Sequence, residues 1–395
     1  MTTKTRVFAS AAMAALGSAA VMVATPAAAD ALASPSMTPP LAANDKPTTF
    51  DGGPLGKIYV TGAVSGLAFG QSNHSPFDRD YTLDLSNGQV VVQTTTGPVQ
   101  FYVQAGSYSF PSLGTPYTKA SPTTNATFGN VPVAYVKLQP TAEVSLQVGK
   151  LPTLIGAEYA FTFQNMNIER GLLWNQEPVT SDGVQFNYTK GAVTASVSLN
   201  DGFYSNKYNW VSGLFTYTFN PVDSFTIDGG FSLSDTKKAT TATPLLQNNG
   251  GILNLSWTHT QGPWVINPYF QYTKASSIKA FGSSFAGADS YSGAVLAKYS
   301  FNPELSVAGR LEYIKTSSTS CPKVPGACVQ SNILYGPDSS AFSATITPTY
   351  QKGVFFIRGE ASVVGISKVA SGSGFGTQGK DKSQFRALLE TGVLF

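Results

Sequence analysis

The fold is indicated by the last residues of the chain, RALLETGVLF at 386–395, because apolar residues recur there at every second position. One side of this stretch and the residues just before it comprises Phe385, Ala387, Leu389, Thr391, Val393 and Phe395. The other side comprises Gln384, Arg386, Leu388, Glu390 and Gly392. A period of two residues is typical of a β-strand with one apolar face. Such order is unusual at a chain terminus, because the free termini of soluble proteins usually fray.

The composition narrows the class of protein. Only 12% of the 395 residues are charged, about half of the share usual in soluble proteins, and another 12% are aromatic. Helical periodicity is almost absent, and beyond the N-terminus no apolar run reaches the roughly 18 residues that a transmembrane helix needs. The net charge of +3 is small and dispersed, which argues against nucleic acid as a partner.

The N-terminus has the features of a secretory signal peptide. Lys4 and Arg6 precede an apolar run at 7–23, and Ala27 and Ala29 form a small-x-small cleavage site. We therefore predict a signal peptide at 1–29. The alternative is a membrane anchor, which the short, alanine-rich run disfavours. Residues 30–56 are rich in proline and without pattern, and they predict a flexible leader.

Alternation of apolar and polar residues recurs from residue 57 to the C-terminus. Seven short connections contain Gly or Pro, as tight turns require, and they alternate with eight long ones. This pattern predicts a transmembrane antiparallel up-and-down β-barrel of about sixteen strands, within a range of fourteen to eighteen, with long loops on one rim and short turns on the other. The predicted strands are 57–70, 88–96, 98–108, 131–139, 142–150, 182–190, 192–200, 209–219, 224–235, 251–260, 263–274, 289–301, 304–316, 340–351, 353–366 and 384–395. The first long connection is expected at 71–87.

One face of these strands carries almost no charge. A soluble β-sandwich shows the same alternation, with its apolar face turned inward. Three features favour the membrane: aromatic residues stand at strand ends, the alternation persists through all strands, and a secretion signal accompanies a chain with no other anchor. We therefore expect the apolar face to contact the lipid bilayer of a bacterial outer membrane, reached by way of the periplasm.

The C-terminal stretch is then explained as the closing strand of the barrel, which pairs with the first strand so that no edge is left open. A terminal Phe that follows alternating apolar residues resembles the C-terminal signature of outer-membrane β-barrels. That resemblance implies that Phe395 belongs to a signal read by the barrel-assembly machinery.

Charged residues within the strands cluster on the polar parity of the last strands. A charge facing lipid near the bilayer midplane costs roughly 2–4 kcal/mol, so these side chains are predicted to face the lumen. They are Lys298, Arg310, Glu312, Arg358, Glu360, Arg386 and Glu390. Two interpretations remain open: a charged lining that orders water and screens passing ions, or Arg–Glu pairs that neutralise one another and fill space.

The third long connection, 151–181, is the longest and carries Glu158, Glu169, Arg170 and Glu177. The predicted barrel resembles sixteen-stranded porins, in which the third loop folds inward and narrows the pore. By that resemblance Glu169 and Arg170 are constriction residues facing the basic wall. The alternative is an outer loop lying flat over the rim.

Residues 148–202 carry a more specific resemblance. Their matching features are a Gly-Lys pair, a Gly-x-Glu, an Asn-rich segment with an arginine, and a strand pair that ends in Asn-Asp-Gly. The residues are Gly149, Lys150, Gly156, Glu158, Asn165, Arg170, Gly183, Asn200 and Gly202. In these features the chain resembles the OmpL-like outer-membrane β-barrel porins, and the resemblance implies a porin without identifying its solute.

The expected function is passive diffusion of small hydrophilic solutes and ions through a water-filled barrel. The alternative is a surface adhesin or receptor with a closed or narrow lumen. An enzyme is not expected, because only two histidines are present and no serine lies in a Gly-x-Ser-x-Gly motif. The sequence leaves monomer and homo-oligomer open, and it indicates no cofactor and no metal.

Cys321 and Cys328 are the only cysteines, and they flank a stretch with two prolines and a glycine. In an oxidising compartment this arrangement predicts a local disulfide within a loop.

Overall fold

The computed structural model describes residues 32, 36–37, 40–75, 78–318, 321 and 328–395, and its main element is a closed antiparallel β-barrel. The expected signal peptide, 1–29, lies outside the described residues. The barrel strands number sixteen among the described residues, which confirms the predicted architecture. They are β1 (Lys57–Gln71), β2 (Tyr81–Thr94), β3 (Val99–Tyr108), β4 (Val133–Leu138), β5 (Val144–Pro152), β6 (Thr180–Lys190), β7 (Val193–Asn200), β8 (Trp210–Thr218), β9 (Asp223–Ser232), β10 (Gly250–Gln261), β11 (Trp264–Ala275), β12 (Ala288–Ser300), β13 (Leu305–Ser318), β14 (Ser340–Lys352), β15 (Phe355–Ser367) and β16 (Ser383–Leu394).

The two ends of the chain close the barrel. Strands β1 and β16 pair antiparallel, from Ala63 opposite Leu394 to Gln71 opposite Arg386. Beyond β16, the Phe395 N–H donates to the carbonyl of Gly62 at 3.0 Å, and the Gly62 N–H donates to the carbonyl of Phe395 at 2.8 Å. A Cβ at Gly62 would lie 2.4 Å from the Phe395 ring, so the seam requires glycine at this position. The C-terminal alternation therefore belongs to the closing strand, as predicted.

The two faces of the strands differ as the membrane interpretation requires. On β13, Leu311 and Tyr313 are 63% and 53% exposed, whereas the alternate residues Arg310 and Glu312 are 1% and 5% exposed. The apolar parity thus forms the outer surface, and the polar parity faces the lumen.

The first long connection is shorter than the sequence indicates. Strand β2 begins at Tyr81, so the expectation of a loop at 71–87 is wrong for residues 81–87. These residues pair with the second half of β1, and a register shift lies between Ser65 and Gly66. Residues 81–87 form a strand because β1 is long enough to supply them with hydrogen-bond partners, before the expected start of β2 at residue 88.

The other connections contain short elements. Helix α1 (Ala120–Ala126) lies in the second long loop, and helix α2 (Leu245–Asn248) precedes β10. Three short strands, Ile278–Ala280, Ser283–Phe285 and Cys328–Val329, form a separate sheet. Cys321 and Cys328 form a disulfide with Cα atoms 5.7 Å apart. No helix in the described part of the chain is long and apolar enough to cross a membrane.

The leader contains regular structure next to the barrel. Thr48–Asp51 is a strand that pairs with the start of β1, and Gly53–Leu55 is a short 3-10 helix. Further upstream, Met37 and Leu41 are 5% and 7% exposed. The sequence predicts only a flexible leader, whereas the structure has regular elements at Thr48–Asp51 and Gly53–Leu55. Met37 and Leu41 contact inward-facing side chains, and these side chains come together only when the barrel closes.

Candidate functional site

The inward-facing charges of β12, β13, β15 and β16 lie on the predicted parity. Those of β13, β15 and β16 are buried, and the fully buried side chains include Arg310, Arg358 and Arg386. Lys298 on β12 differs, because it is partly exposed and lines a cavity at the short-turn end. The wall therefore contains a buried charged sector and one accessible ammonium group nearby.

The third long loop, residues 153–179, pairs its charges with this sector. Glu158 Oε1 lies 2.5 Å from Arg310 Nη1, and Glu169 Oε1 lies 2.8 Å from Arg386 Nη1. Within the wall, Arg310 also contacts Glu312 at 3.2 Å. Arg358 pairs with Glu390 at 2.5 Å. This arrangement corresponds to mutual neutralisation, the second of the two interpretations that the sequence leaves open.

Carboxylates of the wall also hold the backbone of this loop. Glu360 accepts hydrogen bonds from the N–H groups of Ile168 at 2.5 Å and Glu169 at 2.9 Å. Glu312 accepts from the N–H groups of Leu172 at 3.1 Å and Leu173 at 3.3 Å. Inside a barrel these N–H groups have no strand to pair with, so the carboxylates satisfy donors that burial would otherwise leave unpaired.

Arginines of the wall bind loop carbonyl groups in a complementary way. Arg310 donates to the carbonyl of Glu169 at 2.8 Å, and Arg358 donates to that of Asn165 at 3.1 Å. Arg386 donates to the carbonyl of Ser112 at 2.6 Å, in the second long loop. The charged sector therefore fixes two loops as well as balancing charge.

Arg170 occupies an unusual position at the centre of this network. Its side chain is fully buried, and its three guanidinium nitrogens form no hydrogen bond with the described residues. The guanidinium carbon lies 5.7 Å from the centre of the Trp174 ring, within cation–π range. Burial lowers the pKa of Arg170 to about 10, while Glu158 and Glu390 act in the opposite direction. The side chain is therefore still a cation at neutral pH.

Glu177 contacts the wall next to the charged sector, on β11, which pairs with β12. It accepts a hydrogen bond from the hydroxyl of Tyr269 on β11, and burial raises the pKa of Glu177 well above its ordinary value. At Gly156, where φ is +93°, an added Cβ would lie 1.8 Å from Glu177 Oε2. The Gly156 N–H donates to Asp228 on β9 at 2.9 Å. Glycine at position 156 thus allows the Glu177 carboxylate to lie against the backbone of residue 156, which any side chain at this position would prevent.

Apolar contacts of the loop complete its attachment. Ile168 packs with Leu67, Phe69 and Leu388, and other residues of this loop pack in further clusters with inward-facing side chains. Sequence reasoning missed these contacts, together with Asp228 and Tyr269. The sequence feature that indicates such contacts is an apolar residue on the otherwise polar parity, such as Leu388 between Arg386 and Glu390. An apolar side chain that faces the lumen is stable only when other apolar groups cover it.

The lumen retains a cavity of about 490 Å³ at the short-turn end. Its lining includes Gln89, Gln93 and Lys298 of the wall, and Phe163 and Gln164 of the third long loop. Residues of the leader line the same cavity. The lumen is therefore occupied from both ends, by the third long loop from one rim and by the leader from the other.

Comparisons with known proteins agree with this architecture. A model of the family described as "Putative beta-barrel porin-2, OmpL-like" matches residues 57–395. A search of curated proteins found no significant match. Among solved structures, the anion-selective porin of Comamonas acidovorans is similar, with 12% identity, a TM-score of 0.55, and 86% of this chain and 99% of that chain covered.

Two other solved structures show the same fold. The outer-membrane channel DcaP of Acinetobacter baumannii matches with 12% identity and a TM-score of 0.54, over 86% of this chain and 97% of that one. OmpT of Vibrio cholerae matches with 13% identity and a TM-score of 0.54, over 86% and 98%.

The closed barrel, its lipid-facing apolar surface and its lumen define a porin of the bacterial outer membrane. In particular, the chain belongs to the OmpL-like β-barrel porins, as its match over the whole barrel shows. It is a channel for passive diffusion across the outer membrane.

Proposed function

We propose that the chain forms a narrow channel for small hydrophilic solutes, in which the third long loop sets the size limit and anions pass more readily than cations. The observation that carries the size limit is the attachment of this loop to β13, β15 and β16, through Arg310, Glu312, Glu360 and Arg386. A loop held at several points stays inside the lumen during passage of a solute.

The proposed anion preference rests on two partly exposed lysines of the wall. The arginines of β13, β15 and β16 each have a carboxylate partner, so their net field on a passing ion is small. Lys137 on β4 and Lys298 on β12 lie on the inward parity and are partly exposed, and neither has an ion-pair partner among the described residues. Unpaired ammonium groups in a lumen attract anions and repel cations.

Reversal potentials across a planar bilayer with a KCl gradient test this proposal. We expect the sign that indicates anion preference, and we expect Lys137→Gln and Lys298→Gln to lower the preference without closing the channel. Lys352→Gln is the control, because that ammonium group is exposed at a turn and pairs with Glu304 at 3.3 Å. A cation preference in the unaltered protein would refute the assignment.

A surface adhesin or receptor with a closed lumen is the competing function. Conductance distinguishes it, because a folded barrel that never conducts in a bilayer does not support diffusion. The Ser-, Thr- and Asn-rich long loops would then be the surface to examine for a bound partner.

The chain must also be exported and inserted into the outer membrane. We expect signal peptide 1–29 to direct export, and the barrel-assembly machinery to bind the C-terminal strand through Phe395. Small solutes and ions are the expected transported species.

A homo-oligomer is the assembly that we propose for the native membrane. A trimer form of the similar OmpT of Vibrio cholerae supports it. Cross-linking in native membranes, followed by mass determination, would give a ladder that ends at the assembly size. A product of monomer mass alone would refute this part of the proposal.

A further inference from the structure

The leader contacts the inside of the barrel through an apolar residue near the closing seam. Leu41 packs in a cluster with Ala63 of β1, Phe356 of β15 and Leu394 of β16. Phe163 of the third long loop packs against the same cluster. This cluster holds one end of the leader at the short-turn rim, beside the seam.

A second apolar residue enters another sector of the lumen. Met37 is 5% exposed and belongs to a cluster with Tyr269 of β11, Leu296 of β12 and Ala308 of β13. Met166 and Leu173 of the third long loop belong to this cluster too. The leader segment, defined here as residues 36, 37 and 40–44, thus reaches from the seam to a separate part of the wall.

Polar contacts fix the leader segment between these two clusters. The N–H groups of Met37 and Leu41 donate to the carbonyls of Gln164 at 2.9 Å and Phe163 at 3.2 Å. At the rim, the amide of Gln351 forms two bonds with Ala42: its oxygen accepts from the N–H at 2.8 Å, and its nitrogen donates to the carbonyl at 2.7 Å. The barrel and the third long loop therefore supply hydrogen-bond partners to the backbone of Met37, Leu41 and Ala42.

We propose that the leader segment is a plug of the short-turn mouth, and that its displacement opens the channel further. The strand Thr48–Asp51 tethers the plug to β1, so a displaced segment stays close to the mouth. The inference rests on the proposed function, because only a conducting barrel can be plugged.

The contacts of the leader segment are those expected of a reversible plug. It covers inward-facing apolar side chains that would otherwise face water, yet it contributes no bond to the ladder between barrel strands. The cavity beside it, of about 490 Å³, shows that the segment narrows the mouth without filling it. Release therefore costs side-chain burial and a few hydrogen bonds, and the barrel stays closed.

Single-channel conductance of the full mature chain tests the plug. The double variant Met37→Asn with Leu41→Asn removes both apolar contacts without changing charge. We expect its main conductance step to rise at least about twofold, because the plug and the third long loop lie in series along the lumen and each adds resistance to the passage of ions. The matched control, Met37→Leu with Leu41→Met, keeps both positions apolar and is expected to conduct as the unaltered protein does.

A variant on the barrel side gives an independent test. Gln351→Ala removes both bonds to Ala42, and we expect a smaller rise in conductance or longer dwell in a high-conductance level. Lys352→Ala, at the adjacent exposed position, is its control. Unchanged or lower conductance in both the double variant and Gln351→Ala would overturn the plug. Reversal potentials from the same recordings test the anion preference separately, so either inference can fail alone.

Discussion

Glu360→Ala is the substitution expected to release the third long loop. The carboxylate of Glu360 accepts the N–H groups of Ile168 and Glu169 and the hydroxyl of Thr347. Leaving a buried N–H group without an acceptor costs about 1–3 kcal/mol, so the loop-bound state loses roughly 2–6 kcal/mol. Water that enters the lumen offsets part of this loss. We therefore expect the loop-bound state to lose about 2 kcal/mol, the lower end of this range. This loss shifts the equilibrium between the bound and the released loop roughly 30-fold toward the released loop.

Trypsin reports on this equilibrium. Arg170 is the only Lys or Arg between Lys150 and Lys190, and its complete burial protects it while the loop is bound. When the loop opens and closes faster than trypsin cuts, the rate of cleavage is proportional to the fraction of molecules in which the loop is released. We expect the new N-terminus at Gly171 to appear roughly 30-fold faster in Glu360→Ala than in the unaltered protein.

Two controls make this result specific to the loop. Glu360→Gln keeps one acceptor oxygen and should give an intermediate rate. Glu304→Ala removes an exposed glutamate that pairs with Lys352 at a short turn, and it should leave the rate unchanged. If Glu360→Ala were cleaved at Arg170 no faster than Glu304→Ala, the wall carboxylates would not be what holds the loop.

Three further outcomes test other parts of the structure. Gly62→Val places a side chain where a Cβ would already lie 2.4 Å from the Phe395 ring, and it should destabilise the seam by about 1–3 kcal/mol, seen as a lower folded fraction in unheated electrophoresis. Removal of Phe395 deletes two seam hydrogen bonds to Gly62 and should slow membrane assembly, measured as the rate at which pulse-labelled protein becomes protease-resistant; an unchanged rate would count against its role. Cys321 and Cys328 should resist alkylation until a reductant is added, and intact mass measures this directly.

The charged sector shows where sequence reasoning was sufficient and where it was not. Alternation placed Arg310, Glu312 and Arg386 on the inward face, because the side-chain period of a strand is two and a charge facing lipid is costly. The pairing of Arg386 with Glu169 could not be predicted in the same way. The two residues are far apart in the chain, and their contact depends on the path of a loop without periodicity.

The leader shows the same limit more strongly. Its prolines and lack of pattern predict flexibility, and nothing in its own sequence indicates a partner for Met37 or Leu41. Both residues become buried only because the closed barrel presents inward apolar side chains, from strands that are distant in sequence.

The sequence by itself determined the barrel, the orientation of each face and the closing role of the C-terminus, since these follow from local alternation, turn residues and the cost of unpaired strand edges. It limited the number of strands to between fourteen and eighteen, and the structure has sixteen. Only the tertiary structure decided what fills the lumen. The contacts of the third long loop and the leader are made between segments with no common period, and barrel closure alone brings them within reach of the wall.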